Sequence, residues 1–320
     1  MRPPDPWVYF QSADQPKRAV LRKSKVRVSP NDRGFMFADG VYEVIRSYQG
    51  RLFLVPEHLA RLRRSLRSAR IQYAGVREIP AEARELLRRN NLLDCDATVY
   101  LHITRGVYPR RHAFPPRSVL PTFYMEANRF EPYRNELTRG VRVITVPDFR
   151  WSRCDIKSLA LLGNVLARQE AVDKGAFEAI FVRDGLVTEG THTNVFGVRN
   201  GRLVTHPRCG SILGGITREL IIRLCRRLRI PLDESGIRQD GLRSMDELFL
   251  AGTTVEVMPI VRVDGRRVGT GKPGPTTLRL QRAFLAESRP RPKSRHRIST
   301  LRRKGTKNEH GQAAKSAPNW

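Results

Sequence analysis

From Val41 to Tyr48 apolar and polar side chains alternate, Gln49-Gly50 supplies a tight turn, and Arg51–Val55 runs back, which predicts a β-hairpin. Pro56 then opens a helix through Ile71 that carries Leu59, Leu62 and Leu66 at the spacing of one buried face. Turn-linked strands interleaved with amphipathic helices continue along the chain, with no long-period repeat. The fold class they predict is α+β with largely antiparallel strands.

Residues 7–10 and 19–28 read as short strands, and a second helix runs from about Pro80 to Leu92. Strands follow at Thr98–Thr104 and Pro121–Ala127, separated by a long loop that starts at Arg105 and passes Arg110 and His112 to two prolines. A loop of that length between strands is often functional. The polar stretch beginning at Asn128 reads as an interdomain linker. The division is therefore a smaller N-terminal domain over 1–130, a linker at 131–138 and a larger C-terminal domain over 139–287. The second domain has strands at Val141–Val146, around Ala179–Val182 and at Asn194–Val198, with an Asn200-Gly201 turn into Leu203–Thr205. Its later strands lie near Leu248–Leu250 and Val255–Val263. Helices are expected at Leu159–Lys174, Thr217–Leu228 and from about Pro275 to Glu287.

Net charge is +28, and residues 288–320 hold ten Lys/Arg against one acid. That segment is polar and interrupted by proline, so it reads as a disordered basic tail, with weak nonspecific nucleic-acid contact as its one binding prospect. The remaining positive charge is spread over helices as solvated faces, and no nucleic-acid motif accompanies it. No apolar run approaches a membrane span, and the N-terminus lacks a signal-peptide core, so a cytoplasmic protein is expected. The four cysteines, at 95, 154, 209 and 225, show no Cys-x-x-Cys spacing, so no metal site is expected.

The chain has 59 basic residues, of which ten are lysines and 49 arginines, and only Lys157, Lys174 and Lys272 fall between residues 26 and 292. A guanidinium stays protonated near neutrality, whereas an amine can lose its proton and form a Schiff base with a carbonyl carbon. Lys174 precedes a helix-ending glycine and Lys272 lies in a Gly-Lys-Pro-Gly loop, so both have local explanations. Lys157 has none.

Four further features are ambiguous singly. Gly214-Gly215-Ile216-Thr217 leads into an apolar-periodic run, and is either a phosphate seat at a helix start or a simple cap. Thr253 and Thr254 offer hydroxyl donors or turn chemistry. Glu189, at a strand end before Gly190, is a ligand-facing carboxylate or a solvated turn acid. Arg61 grips an anion or pairs with Glu57 at i,i+4. Together, an amine, a carboxylate, a helix start and an arginine are the parts needed to hold pyridoxal 5'-phosphate, with Glu189 keeping the ring nitrogen protonated.

Four runs carry a resemblance: Asp32-Arg-Gly-Phe-Met-Phe-Ala-Asp-Gly-Val-Tyr-Glu-Val, Arg153-Cys-Asp-Ile-Lys-Ser-Leu, Val187-Thr-Glu-Gly with Asn194-Val-Phe-Gly, and Gly215-Ile-Thr-Arg. In collinear order over roughly residues 7–287 the chain resembles the fold-type IV aminotransferases, and within them the bacterial D-amino acid enzymes. The resemblance implies two domains with the active site between them and Lys157 as Schiff-base lysine and proton shuttle. It makes Glu189 the partner of the ring nitrogen, with Arg61, Ile216, Thr217 and Thr253 around the phosphate. Tyr42, Arg110 and His112 would trap the substrate α-carboxylate, the last two reaching in from the neighbouring subunit of a homodimer. Two positions depart from the pattern: His192 stands where a small residue is common, and Gly252 where a serine is usual.

The function implied is transamination between D-amino acids and 2-oxo acids, D-alanine and 2-oxoglutarate giving pyruvate and D-glutamate. The alternatives are a branched-chain L-aminotransferase or an aminodeoxychorismate lyase of the same fold. From another class, the alternative is an inactive homologue that binds nucleic acid or acts as a scaffold.

Overall fold

The computed structural model describes residues 5–289, so of the basic tail expected over 288–320 all but Ser288 and Arg289 lies outside the described residues. The first sheet is antiparallel throughout and built from β1 (Trp7–Gln11), β2 (Ala19–Arg22), β3 (Gly40–Tyr48), β4 (Arg51–Leu52), β5 (Ala97–Thr104) and β6 (Phe123–Arg129). Their spatial order is β2-β1-β6-β5-β3-β4. The hairpin-plus-helix unit is present. β3 pairs with β5 in unbroken register from Gly40 opposite Thr104 to Ser47 opposite Ala97.

Three helices accompany this sheet: α1 (Arg33–Phe37), α2 (Val55–Ser68) and α3 (Ile79–Arg89). α2 buries Leu59, Leu62 and Leu66 in one cluster with Val41 and Ile45 of β3 and with Leu86 and Leu87 of α3. The single turn and a half of α1 has no apolar period of its own. It forms because the Asp32 carboxylate accepts a hydrogen bond from Gly34 N at 2.8 Å and also from the Thr104 and Thr122 hydroxyls.

The second sheet contains β7 (Val141–Pro147), β8 (Glu178–Arg183), β9 (Leu186–Gly190), β10 (Asn194–Arg199) and β11 (Arg202–Thr205). It continues with β12 (Leu232–Asp233), β13 (Ile237–Arg238), β14 (Glu247–Gly252), β15 (Glu256–Val263) and β16 (Arg266–Arg267). Strands are mostly antiparallel, but β7 runs parallel to both β8 and β15, and β11 runs parallel to β12. The path β10-β14-β15-β7-β8-β9 returns to β10 through the pair Asn194–Glu189, so the sheet closes on itself at that point. Helices α4 (Arg134–Arg139), α5 (Leu162–Asp173), α6 (Ile216–Leu228) and α7 (Pro275–Ser288) complete the chain.

Where element ends differ from expectation, tertiary hydrogen bonds are the cause. The helix expected from Leu159 starts at Leu162 because Leu159 N donates to Gly40 O at 3.0 Å, holding residues 159–161 against β3. Within the stretch read as a linker, β6 persists through Arg129 and α4 begins at Arg134.

The two sheets share buried contacts. Tyr48 and Phe53 belong to the same apolar cluster as Leu220, Ile221 and Leu224 of α6 and Leu280 and Phe284 of α7. Beside them the Tyr48 hydroxyl donates to the Glu256 carboxylate at 3.0 Å. Arg46 is fully buried, lies 3.7 Å over the Phe130 ring and pairs with Asp96 at 2.9 Å.

Candidate active site

A cleft of about 790 Å³ is lined from both sheets, and it gathers Tyr42, Arg61, Lys157, Glu189, Ile216, Thr217 and Thr253. Residues taken from well-separated stretches of sequence therefore meet in one place.

Lys157 is positioned by its backbone. Tyr42 N donates to Lys157 O at 3.0 Å, Lys157 N donates to Ser65 Oγ at 3.2 Å, and Ser158 bridges to Val41. The half-buried side chain places Nζ 4.0 Å from the centre of the Tyr42 ring, and it makes no ion pair among the described residues. Lys174, by contrast, is exposed and pairs with Glu170 at 2.7 Å, and Lys272 is exposed in its loop.

Glu189 sits at the closing seam of the second sheet and is 5 % exposed, so it is no solvated turn acid. Its carboxylate accepts hydrogen bonds from Leu213 N at 2.9 Å, Asn194 Nδ2 at 3.3 Å and Arg150 Nη1 at 2.7 Å. Burial pushes this carboxyl up to about 7, against the pull of the Arg150 guanidinium. Such a group exchanges its proton near neutrality. The following residue has to be glycine, since a Cβ on Gly190 would collide with Thr193 Oγ1.

Gly215 is the N-cap of α6 and no side chain caps the helix, so the first-turn N–H groups have no side-chain acceptor. A Cβ on Gly215 would collide with Asn194 Oδ1, so a larger residue there would push Asn194 away from the Glu189 seam. Ile216 and Thr217, in the first turn, line the cleft, and the N–H groups of such a turn favour an anion.

Arg61 is buried but does not pair with Glu57, whose carboxylate lies 3.4 Å from Arg223. It grips Glu43 with Nε at 2.7 Å and Nη2 at 2.8 Å, and Nη1 reaches Gly214 O at 3.3 Å beside the α6 start. Burial disfavours the Glu43 charge, yet Arg61 and His58 hold this carboxyl far below the ordinary range. Thr253 and Thr254 line the cleft just past β14, and Gly252 ends that strand. A Cβ at Gly252 would stand 3.2 Å from Val255 Cγ2, a close but soft contact.

Arg110 and His112 are not in this chain's own cleft. Both are exposed, and both approach the Phe37 ring, His112 at 5.4 Å between centroids and Arg110 at 5.1 Å. The loop is anchored by Arg33, whose Nη1 donates to Arg111 O at 2.6 Å.

Four residues of the site escaped sequence reasoning: Asp148, Arg150, Asn194 and Leu213. Arg150 holds Asp148 through Nε and Nη2, both at 2.9 Å, while Nη1 reaches Glu189. In so arginine-rich a chain, nothing local distinguishes it. Among the described residues no group of three or more His, Cys, Asp or Glu is placed to hold a metal ion.

The donor set suits a flat, phosphate-bearing aldehyde: the amine at Lys157, a proton-bearing carboxyl at Glu189, and an uncapped helix start with Thr253 beside it. Fold and cleft together define an amino-group transferase. Residues 40–263 match the family described as amino-transferase class IV, and the chain belongs to it.

Within that family the chain is 42% identical over 265 residues to D-alanine aminotransferase of Staphylococcus haemolyticus, covering 82% of this chain and 93% of that one. To D-alanine aminotransferase of Bacillus licheniformis it is 41% identical over 270 residues, covering 83% and 93%. Among solved structures, the branched-chain amino acid aminotransferase of Escherichia coli superposes with a TM-score of 0.77 at 27% identity, over 88% of this chain and 94% of that chain.

Proposed function

We propose that this protein is a pyridoxal 5'-phosphate-dependent D-amino acid transaminase that converts D-alanine and 2-oxoglutarate to pyruvate and D-glutamate. The observation that carries the reading is the meeting of the Lys157 amine and the Glu189 carboxyl in one cleft. When bound, the cofactor supplies an aldehyde that bonds covalently to amines and a ring that accepts the electron pair left at Cα.

The rest falls to the chain. Lys157 would hold the cofactor through its amine, and the free Nζ is the base that takes the substrate Cα proton. Glu189 holds a proton against the ring nitrogen, and Arg150 and Asn194 keep its carboxyl turned inward. The Ile216 and Thr217 N–H groups, the Thr253 hydroxyl and the Arg61 edge of the α6 start seat the phosphate. Tyr42 borders the substrate side of Lys157.

The α-carboxylate needs a guanidinium that the cleft's two arginines do not spare, since Arg61 is held by Glu43 and Arg150 by Asp148 and Glu189. This supports a homodimer in which Arg110 and His112 enter from a second copy. Phe149, Trp151, Leu162, Val165 and Leu166 are each at least 48% exposed around the cleft and α5, an apolar face of the kind a partner covers. Sedimentation should give a dimer, and Leu166→Asp should shift it toward monomer; a wild-type monomer with full activity would remove the shared-site reading.

The 131–138 domain boundary is supported by the first sheet ending at Arg129 and the second beginning at Val141. The four cysteines are free thiols, which suits a cytoplasmic setting. No helix among the described residues is long and apolar enough to cross a membrane.

The deciding assay offers the purified holoenzyme D-alanine with 2-oxoglutarate beside L-leucine with 2-oxoglutarate and follows keto-acid formation. Pyruvate from D-alanine is expected. Turnover of L-leucine alone would transfer the protein to the branched-chain reading.

A further inference from the structure

His192 is the one basic side chain of the cleft that the mechanism above leaves unused. It sits in the turn between β9 and β10, and its Nδ1 lies 2.9 Å from Glu178 Oε2. Glu178 is fully buried on β8 and accepts from Ala179 N at 3.0 Å and from the Thr191 and Thr193 hydroxyls at 2.5 and 3.3 Å. Among the described residues His192 is its one ion-pair partner. A carboxylate cut off from water needs a cation, and three neutral donors do not provide one. Burial raises the Glu178 carboxyl, but the His192 charge and hydrogen bond outweigh it and leave the group below its ordinary range. Nδ1 also lies 3.1 Å from the Thr191 hydroxyl, but that hydroxyl gives its proton to Glu178. The carboxylate can only accept, so Nδ1 donates to Glu178 and the ring is fixed in orientation. As the cation of this pair, the imidazolium carries its second proton on Nε2. Its other nitrogen, Nε2, has no partner among the described residues, and the side chain is 42% exposed.

We propose that His192 is a specificity-determining residue whose Nε2–H binds the distal carboxylate of acidic substrates, D-glutamate and 2-oxoglutarate among them. The assignment to the distal group rests on the transaminase reading, which gives the α-carboxylate to Arg110 and His112 of a second copy. Every other cation of the cleft is engaged: Arg61 by Glu43, Arg150 by Asp148 and Glu189, and Lys157 by the proton transfer itself. Among the described cleft residues the donor left for a second carboxylate is therefore His192 Nε2, whose ring is already held by Glu178 through Nδ1. Glu178 acts through His192 as a positioning residue, and Thr191 and Thr193 hold Glu178.

The test compares wild-type holoenzyme with His192→Ser and His192→Lys. Loss of one charge-assisted hydrogen bond should lower the ratio of kcat/KM for D-glutamate to that for D-alanine about tenfold or more in His192→Ser, mostly through KM. His192→Lys should recover part of the ratio. In parallel, calorimetry should show glutarate binding wild-type holoenzyme more tightly than butyrate, with that preference lost in His192→Ser. An equal fall for D-glutamate and D-alanine would overturn the proposal in favour of an α-carboxylate contact. An unchanged ratio, or no preference for glutarate in the wild type, would overturn it outright. Failure of the transaminase reading looks different: the wild type would turn over no D-amino acid at all.

Discussion

Lys157→Ala holoenzyme preparations should show no visible cofactor absorbance after desalting and should transaminate D-alanine more slowly by at least the roughly 10²- to 10⁴-fold that loss of a positioned proton carrier costs. The loss is chemical, because the half-buried Lys157 side chain makes no ion pair among the described residues and its backbone bonds to Tyr42 and Ser65 survive the substitution. The thermal midpoint of the cofactor-free variant should stay within a few degrees of wild type. Lys157→Arg separates charge from chemistry. A guanidinium keeps the positive charge but neither deprotonates near neutrality nor forms the covalent bond, so it should be as inactive as alanine. Retained transamination in either variant would refute the role of this amine.

Lys157 stood out as a candidate from residue type alone, as an amine in a chain that otherwise uses guanidinium, and the fold brings it into the cleft. Strand alternation and the Leu59, Leu62 and Leu66 stripe likewise displayed the first sheet and its covering helix, because burial of one face imposes its period on the sequence. What stayed hidden is set by contacts distant in sequence. The closure of the second sheet depends on one pair, Asn194 with Glu189, and no local pattern announces a seam. α1 exists through hydrogen bonds to Asp32 from residues on β5 and beside β6. The Arg61 partner stayed hidden for the same reason: i,i+4 spacing offered Glu57 as one of two readings, while the fold brings Glu43 from β3 into a bidentate grip. Arg150 was one guanidinium among 49, distinguished only by the buried carboxyls it faces.

Glu189→Gln should damage catalysis and at the same time change how the cofactor-free protein responds to pH. Gln cannot hold a negative charge opposite a protonated ring nitrogen, so kcat for D-alanine should fall on the order of 10²-fold or more. The stability effect follows from a carboxyl raised by burial from 4.5 to about 7 in the fold. Below the unfolded value the group is protonated in both states and contributes nothing. As pH rises toward the folded value, the unfolded chain ionises while the native one keeps its proton, so wild-type stability declines by about 1.4 kcal/mol per pH unit. The decline reaches about 3 kcal/mol near neutrality and then levels off. Glutamine has no such dependence. The lost Arg150 contact shifts the variant's stability by a constant, but the difference between the two proteins should move in favour of Glu189→Gln from about pH 5 to 7 and stay flat above. Denaturant titrations of both proteins at about pH 5, 6, 7 and 8 read that slope directly. A difference independent of pH would mean that Arg150 keeps the carboxylate ionised throughout in the cofactor-free protein, and burial would then not raise this carboxyl toward neutrality.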